Sequence, residues 1–382
     1  MMFYDANRRG SRIAARILIA LLIVAGGIGI AGRGQISSGE LADIRTVIES
    51  AKSTRATAAA SMDFAQGTMH ANDFQSAITS TRRTVADYDQ LAASASLTRF
   101  TSDSPFAQFV FTPRATLLGT VDRLNNAANT MQTQTAALID AMETSFANDF
   151  RTDGGHWMVQ VDDPAAINEL VSRYGKQRSY QTLQEHLDDL KSLYNLEQRV
   201  RQQVADAIAA VHAGETNAAQ IAVPTEAGAM DAAGWMGTAQ SVASTLGVQV
   251  KQTSVYSCPG ADDNGDDNAD MVIGFFCGGS QASRNEVNML VTHPEWPMVE
   301  RSPLLVDYTK HELAHRSIMI VCGTTEPEIA ANRTEAVTNS YAVQFLGASR
   351  ERIAGSQQGL AAYAMDAQSD QIAQSIHNGT CA

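Results

Sequence analysis

Residues 304–321 read LLVDYTKHELAHRSIMIV. Leu304, Val306, Leu313, Ala314, Ile318 and Val321 are apolar at helical spacing, so the stretch predicts a single helix. On it His311 and His315 are i and i+4, and both rings project from one face, where two imidazoles can grip a single ion. Glu312 stands one residue round from them. The competing reading is a pair of ordinary buried histidines satisfied by hydrogen bonds.

Downstream, Thr325-Glu326-Pro327-Glu328 offers a Thr N-cap, a Pro in the first turn and a Glu at the capping-box position. The helix it predicts runs to Leu346, with Gly347 as its stop. Glu335 and Asn339 share a face of that helix, which makes Glu335 a third candidate ligand. Asn339 becomes the amide that can orient a ligand histidine. Two imidazole nitrogens and a carboxylate oxygen suit zinc, and a three-ligand site leaves one position open for water. Glu312 is close enough to take that water's proton.

This pattern resembles the gluzincin zinc peptidases, the thermolysin-like group, whose H-E-x-x-H helix is followed by a glutamate ligand on a second helix. The resemblance implies His311, His315 and Glu335 as ligands of one Zn2+ per chain, with Glu312 as general base and proton shuttle. Asn339 occupies the position where thermolysin-like enzymes place an aspartate that supports a ligand histidine. Asn can accept the same hydrogen bond but carries no charge. The metzincin pattern is not met, since Arg316-Ser317-Ile318-Met319-Ile320 supplies neither its glycine nor its third histidine. The resemblance covers residues 304–347 and implies a zincin-like catalytic domain acting on a peptide or protein substrate.

At the other end, Arg8, Arg9, Arg12 and Arg16 precede an uncharged run, Ile17 to Gly32. The arginine excess predicts a cytoplasmic N-terminus and a single membrane pass through residues 13–32. An uncleaved signal-anchor is the favoured reading. A removed signal peptide, cleaved after Gly29-Ile30-Ala31, is the alternative. Either way the bulk of the chain is exported. An even set of cysteines (Cys258, Cys277, Cys322, Cys381) without C-x-x-C spacing then reads as two disulfides. Three connectivities are possible, and nearest-neighbour pairing, Cys258–Cys277 and Cys322–Cys381, is the expectation. Thiol ligation of a metal competes with it less well, given the better ligands elsewhere.

The chain has 382 residues, 44% of them hydrophobic, enough for two domains with real cores. A formal net charge of −13 argues against nucleic acid as a partner, because phosphate neutralisation needs a basic face. The fold class expected is mainly α with a small β-sheet (α+β). Its divisions are an N-terminal segment (1–36), a helical bundle (37–220) and the gluzincin-like domain (221–382).

Within the bundle, Leu117, Val121, Leu124, Ala128, Met131, Thr135, Leu138 and Met142 alternate four and three apart, the seam of a bundle. A loop at Gly154, Gly155 and Pro164 is expected after it, then a helix over 178–213 and a break over 213–225. The bundle reads as a spacer, with a sensor or partner-binding module as the alternative. Met131 and Met142 read as core fillers. A helix over 226–246 and strands at 248–256, 271–276 and 287–291 follow. A strand beside the cleft could take up an extended peptide at its edge.

The acidic loop Asp262–Asp270 alternates oxygen side chains, but it misses the EF-hand register. It reads as a solvated turn, with Ca2+ as the alternative. His293 and His377 have no ligand-like spacing and read as ordinary, although either can approach the site in three dimensions. For steadying a developing oxyanion the candidates are Tyr308, Tyr341 and His377. The reading that competes with a peptidase is a non-catalytic surface protein whose bundle binds a partner and whose zinc is structural or vestigial.

Overall fold

A computed structural model describes residues 38–94, 114–161, 163–176, 178–225, 234–258, 272–278 and 283–382. The apolar run at 13–32 and the acidic loop Asp262–Asp270 lie outside these residues. Among the described residues no helix is long and apolar enough to cross a membrane. The described residues are mainly helical with one small sheet. Its helices are α1 (Ser38–Gly67), α2 (Gln75–Ser94), α3 (Arg114–Gln160), α4 (Ala165–Gly175), α5 (Leu183–Gln220) and α6 (Gly234–Ser244). After strands β1 (Gln249–Thr253), β2 (Gly274–Phe276) and β3 (Glu286–Leu290) come α7 (Trp296–Val299), α8 (Leu304–Cys322), α9 (Thr334–Leu346), α10 (Arg350–Ser356) and α11 (Ala367–His377).

Two compact units divide the chain. One comprises the residues up to Phe150 with Arg173–Asn195, the other Arg151–Ser172 with Leu196–Ala382. The units are thus drawn differently from a linear division at 220: 151–172 and 196–220 group with the C-terminal residues.

The first unit is built on the spacing read from the sequence. Val121, Leu124, Ala128, Met131, Thr135, Leu138 and Met142 are all buried, together with Ile44, Ile48 and Ala58 of α1, Ile78 of α2, and Leu187 and Leu190 of α5. Thr135 is the polar member of that seam, and its hydroxyl makes no hydrogen bond. Charged groups gather at its margin. Asp189 accepts from Arg173 at 2.6 Å, Arg178 at 2.7 Å and Tyr180 at 2.6 Å.

In the second unit the sheet order is β1-β3-β2, with β1 parallel and β2 antiparallel to β3. Val250 pairs with Val287, and Phe275 with Asn288. Helix α8 packs against α9, α6 and β2 and is buried along nearly its whole length. Leu313, Ala314, Ile318, Val337, Tyr341, Val242, Val287 and Met289 fill the core around it. It stops at Gly323, whose φ of 73° is a left-handed conformation that side chains rarely adopt. Two buried charges on α8 tie it to its neighbours. Lys310 donates to the Gly347 carbonyl at 2.9 Å, and Asp307 pairs with Arg352 and accepts from the Ser349 amide at 2.9 Å. Both disulfides, Cys258–Cys277 and Cys322–Cys381, are formed.

Three local expectations are corrected. Gly154 and Gly155 lie inside α3 rather than in a loop, because the turns after them are held from outside. Gln160 donates to the Ile320 and Val321 carbonyls at 3.0 and 3.1 Å, and buried Trp157 stacks under Arg201 at 4.7 Å. Residues 213–220 continue α5 rather than break it. Gly214 lets that helix approach its neighbours closely, since an added Cβ would lie 2.7 Å from the Thr245 carbonyl oxygen. Helix α9 starts at Thr334, not at Thr325. Residues Glu328–Ala330 form a 3-10 turn, the Ile329 amide bonds to the Cys381 carbonyl at 3.2 Å, and Asn332 takes a φ of 61°. The disulfide-held C-terminus therefore outcompetes the local capping signal.

Candidate metal centre

His311 and His315 project from one face of α8, as their spacing requires, with ring centroids 4.8 Å apart. Glu335 lies in the first turn of α9, where the helix dipole favours a carboxylate. One of its oxygens, Oε2, is 3.1 Å from His311 Nε2 and 3.4 Å from His315 Nε2. That oxygen is buried and makes no hydrogen bond.

Neighbouring side chains decide which ring nitrogens are available. Asn339 donates through Nδ2 to Gln357 Oε1 at 2.7 Å and to the Tyr363 carbonyl at 3.0 Å. With both amide hydrogens engaged, Asn339 Oδ1 is left to accept from His311 Nδ1, 2.7 Å away. The neutral ring then carries its lone pair on Nε2, facing Glu335. Thr338 acts on His315 in the same way. Its hydroxyl donates to the Thr334 carbonyl at 2.9 Å, so its oxygen can accept from His315 Nδ1 at 3.4 Å. Both histidines therefore turn Nε2 toward one buried carboxylate oxygen, and each Nε2 offers a lone pair when its ring is neutral.

The donor set fits an ion. Nitrogen and oxygen ligands bonded at about 2.0–2.1 Å around a tetrahedral ion stand about 3.3 Å from each other. The two histidine–glutamate separations, 3.1 and 3.4 Å, match that, and all three ligand atoms lie within 4.8 Å of one another. Electrostatics point the same way. Burial by itself would lower the His311 imidazolium, but Glu335, with help from Glu312 and Asn339, pushes its pKa up to about 9. Burial would raise the Glu335 carboxyl, yet the two histidines hold it well below the usual carboxylate range. A pocket that draws a proton this strongly is one that favours positive charge.

Glu312 is buried beside this triad, against the sheet. Burial raises its carboxyl above the ordinary range, while the histidines and the Phe276 amide partly oppose the shift. A Cβ on Gly274 would lie 3.2 Å from Glu312 Cγ and 3.3 Å from its Oε1, so the glycine leaves room for this side chain. Strand β2 thus runs beside Glu312. Among the described residues it pairs with β3 alone, at the edge of the sheet.

The structure brings together His311, His315, Glu335, Asn339 and Glu312, all read from the sequence. Two of the proposed oxyanion residues lie elsewhere. Tyr341 Oη donates to Glu215 Oε1 at 2.8 Å, and His377 Nε2 faces Glu215 Oε2 at 3.2 Å. Tyr308 faces Ser356. Sequence reading missed Tyr363, whose ring centroid is 6.1 Å from that of His311, and also Thr338 and Gln357. Only Thr338 carried a signal, being three residues after Glu335 on one helical face.

Asp140, Glu143 and His186, in the first unit, also stand close enough to hold an ion. There, however, Arg178 donates to Glu143 at 2.8 Å and His186 faces it at 2.9 Å, so the carboxylate is already engaged by cationic and imidazole partners. Comparison with protein-family models, with curated proteins and with solved structures returns no match.

Proposed function

We propose that this chain is a zinc-dependent peptidase of gluzincin type, anchored in the membrane through residues 13–32 with its catalytic part outside the cytoplasm. One observation carries the reading: the Nε2 atoms of two oriented histidines and a buried Glu335 oxygen converge beside a buried Glu312 and an edge strand. His311, His315 and Glu335 would hold the ion. When bound, zinc supplies Lewis acidity, polarising a carbonyl and lowering the pKa of water.

The remaining roles belong to the chain. Glu312 takes the proton of the attacking water and returns it to the leaving amine nitrogen. The edge of β2 offers backbone groups to an extended substrate and so orients the scissile bond next to Glu312. Tyr363, whose ring lies on the His311 side of the site, would be the donor toward the substrate carbonyl oxygen. Asn339 and Thr338 keep both ligand rings in the tautomer that binds. The two disulfides agree with an exported chain. A non-catalytic protein with a structural ion has no use for Glu312, and that separates the two readings.

The test pairs metal content with turnover of a peptide library by the full chain. Glu312→Gln should keep its zinc and lose activity by about 10²–10⁴-fold. His311→Ala should lose both. A Glu312→Gln protein that cleaves peptides at the parent rate would sink the mechanism.

A further inference from the structure

A second cluster, on other residues of the same unit, has the makings of a metal site. His212 and Glu215 are i and i+3 on α5, so their side chains share a face. His377 is the last residue of α11. One nitrogen of each imidazole and one oxygen of the carboxylate all lie within 4.8 Å of one another. His377 Nε2 is 3.2 Å from Glu215 Oε2, the separation expected of two ligands on one tetrahedral ion. The rings of His212 and His377 stack with centroids 4.0 Å apart, and Phe345 covers the other side of His377 at 3.9 Å.

Two atoms here lack hydrogen-bond partners although they are buried: His212 Nε2 and Glu215 Oε2. The Glu215 side chain is only 2% exposed. Leaving a buried polar atom unsatisfied costs about 1–3 kcal/mol, so two such atoms in one cluster call for a partner. A simple Glu215–His377 hydrogen bond would satisfy the carboxylate and still leave His212 Nε2 unpaired. An ion satisfies both. The other Glu215 oxygen, Oε1, accepts from Tyr341 Oη at 2.8 Å, which orients the carboxylate so that Oε2 faces His377. The Ser317 hydroxyl of α8 faces the same carboxylate and helps Tyr341 to hold it.

We infer that His212, Glu215 and His377 form a second binding site for a divalent transition-metal ion, with zinc as its occupant, distinct from the His311–His315–Glu335 centre. Two imidazoles and a carboxylate suit zinc better than calcium or magnesium, which prefer all-oxygen shells. Its role is to clamp α5 to the C-terminal turn of α11. Tyr341 projects about 200° round α9 from Asn339, at 100° per residue. That helix therefore supports one centre from each face.

Zinc content of the full chain, measured by mass spectrometry after equilibration with zinc and removal of excess, tests this. Two equivalents are expected in the parent, one in His311→Ala, one in His212→Ala or His377→Ala, and none when both sets are replaced. Chelation should lower the melting temperature of His311→Ala, and this drop should vanish when His377→Ala is added. If the His212 or His377 variant fails to fold, the His311→Ala protein decides alone. One equivalent retained there supports the second centre, and none overturns it. Two equivalents persisting in folded His212→Ala and His377→Ala also overturn it. A parent with one equivalent that survives His311→Ala would keep this site and remove the first, so the two readings fail separately.

Discussion

The two units solve the problem of burial in opposite ways. In the first, the buried positions of α1, α2 and α3 are apolar apart from the small hydroxyls Thr57, Ser61, Thr81 and Thr135, and its ion pairs with Asp189 lie at partly exposed margins. In the second, a single helix buries Asp307, Thr309, Lys310, His311, Glu312, Arg316 and Ser317. Burying charge is costly unless each group is partnered. Here Asp307 has Arg352, Lys310 has the Gly347 carbonyl, and Arg316 has the Arg284 carbonyl. A scaffold needs none of this. The polar load of α8 sits in the unit that holds the proposed metal centre, while the seam of α3 is accounted for by packing.

That contrast can be attacked at several points. The largest stability effect should come from the Cys322–Cys381 bridge, which closes a loop with a sequence separation of 59. Replacing both cysteines with alanine should cost about 4 kcal/mol on chain-entropy grounds, read from denaturant unfolding. It should also loosen the 328–330 turn, whose Ile329 amide is held by Cys381. Equal stability with and without the bridge would mean that the C-terminus does not set the start of α9.

Next comes Asn339→Ala, which removes the acceptor for His311 Nδ1 while leaving the ligands in place. Zinc affinity should fall about 10–100-fold in a competition titration, with little change in the fold of the apo protein. In the first unit, Thr135→Val should do the reverse of harm. It replaces a buried, unpaired hydroxyl with a methyl of similar shape and should stabilise by about 1 kcal/mol. A destabilised Thr135→Val protein would show that the seam is not the purely packed interface described.

The smallest effect is electrostatic. Burial would raise the Asp189 carboxyl, but Tyr180, Arg178 and Arg173 together lower it from its ordinary 3.8. A lowered carboxyl contributes stability that is complete above the unfolded value and fades as the pH falls through the folded one. Unfolding midpoints should therefore decline below about pH 4, and Asp189→Asn should flatten that slope.

How much of this was legible beforehand depends on the distance over which each feature is decided. The expected helix 304–321 is found as Leu304–Cys322, and the three strands appear within a few residues of their expected places. Their signals are periodic and local. The pairing of the cysteines also follows the expected neighbours. By contrast, Gly154-Gly155 and the stretch 213–220 read as breaks and are helical, because contacts from Gln160, Trp157 and Glu215 lie far away in sequence. Tyr363 and His212 carried no pattern that pointed to an ion.

The sequence alone determined that His311 and His315 share a face and that Glu312 stands next to them, since helical periodicity imposes this wherever the helix lies. It also determined which side chains α9 turns together, Glu335 with Asn339. Tertiary structure decided what those faces meet. It set Glu335 Oε2 at 3.1 and 3.4 Å from the two imidazoles, laid β2 against Glu312, and sent Tyr341 and His377 to Glu215 instead. The reason is that a helix fixes angles between its own residues, whereas distances between elements arise only when the core that packs them has formed.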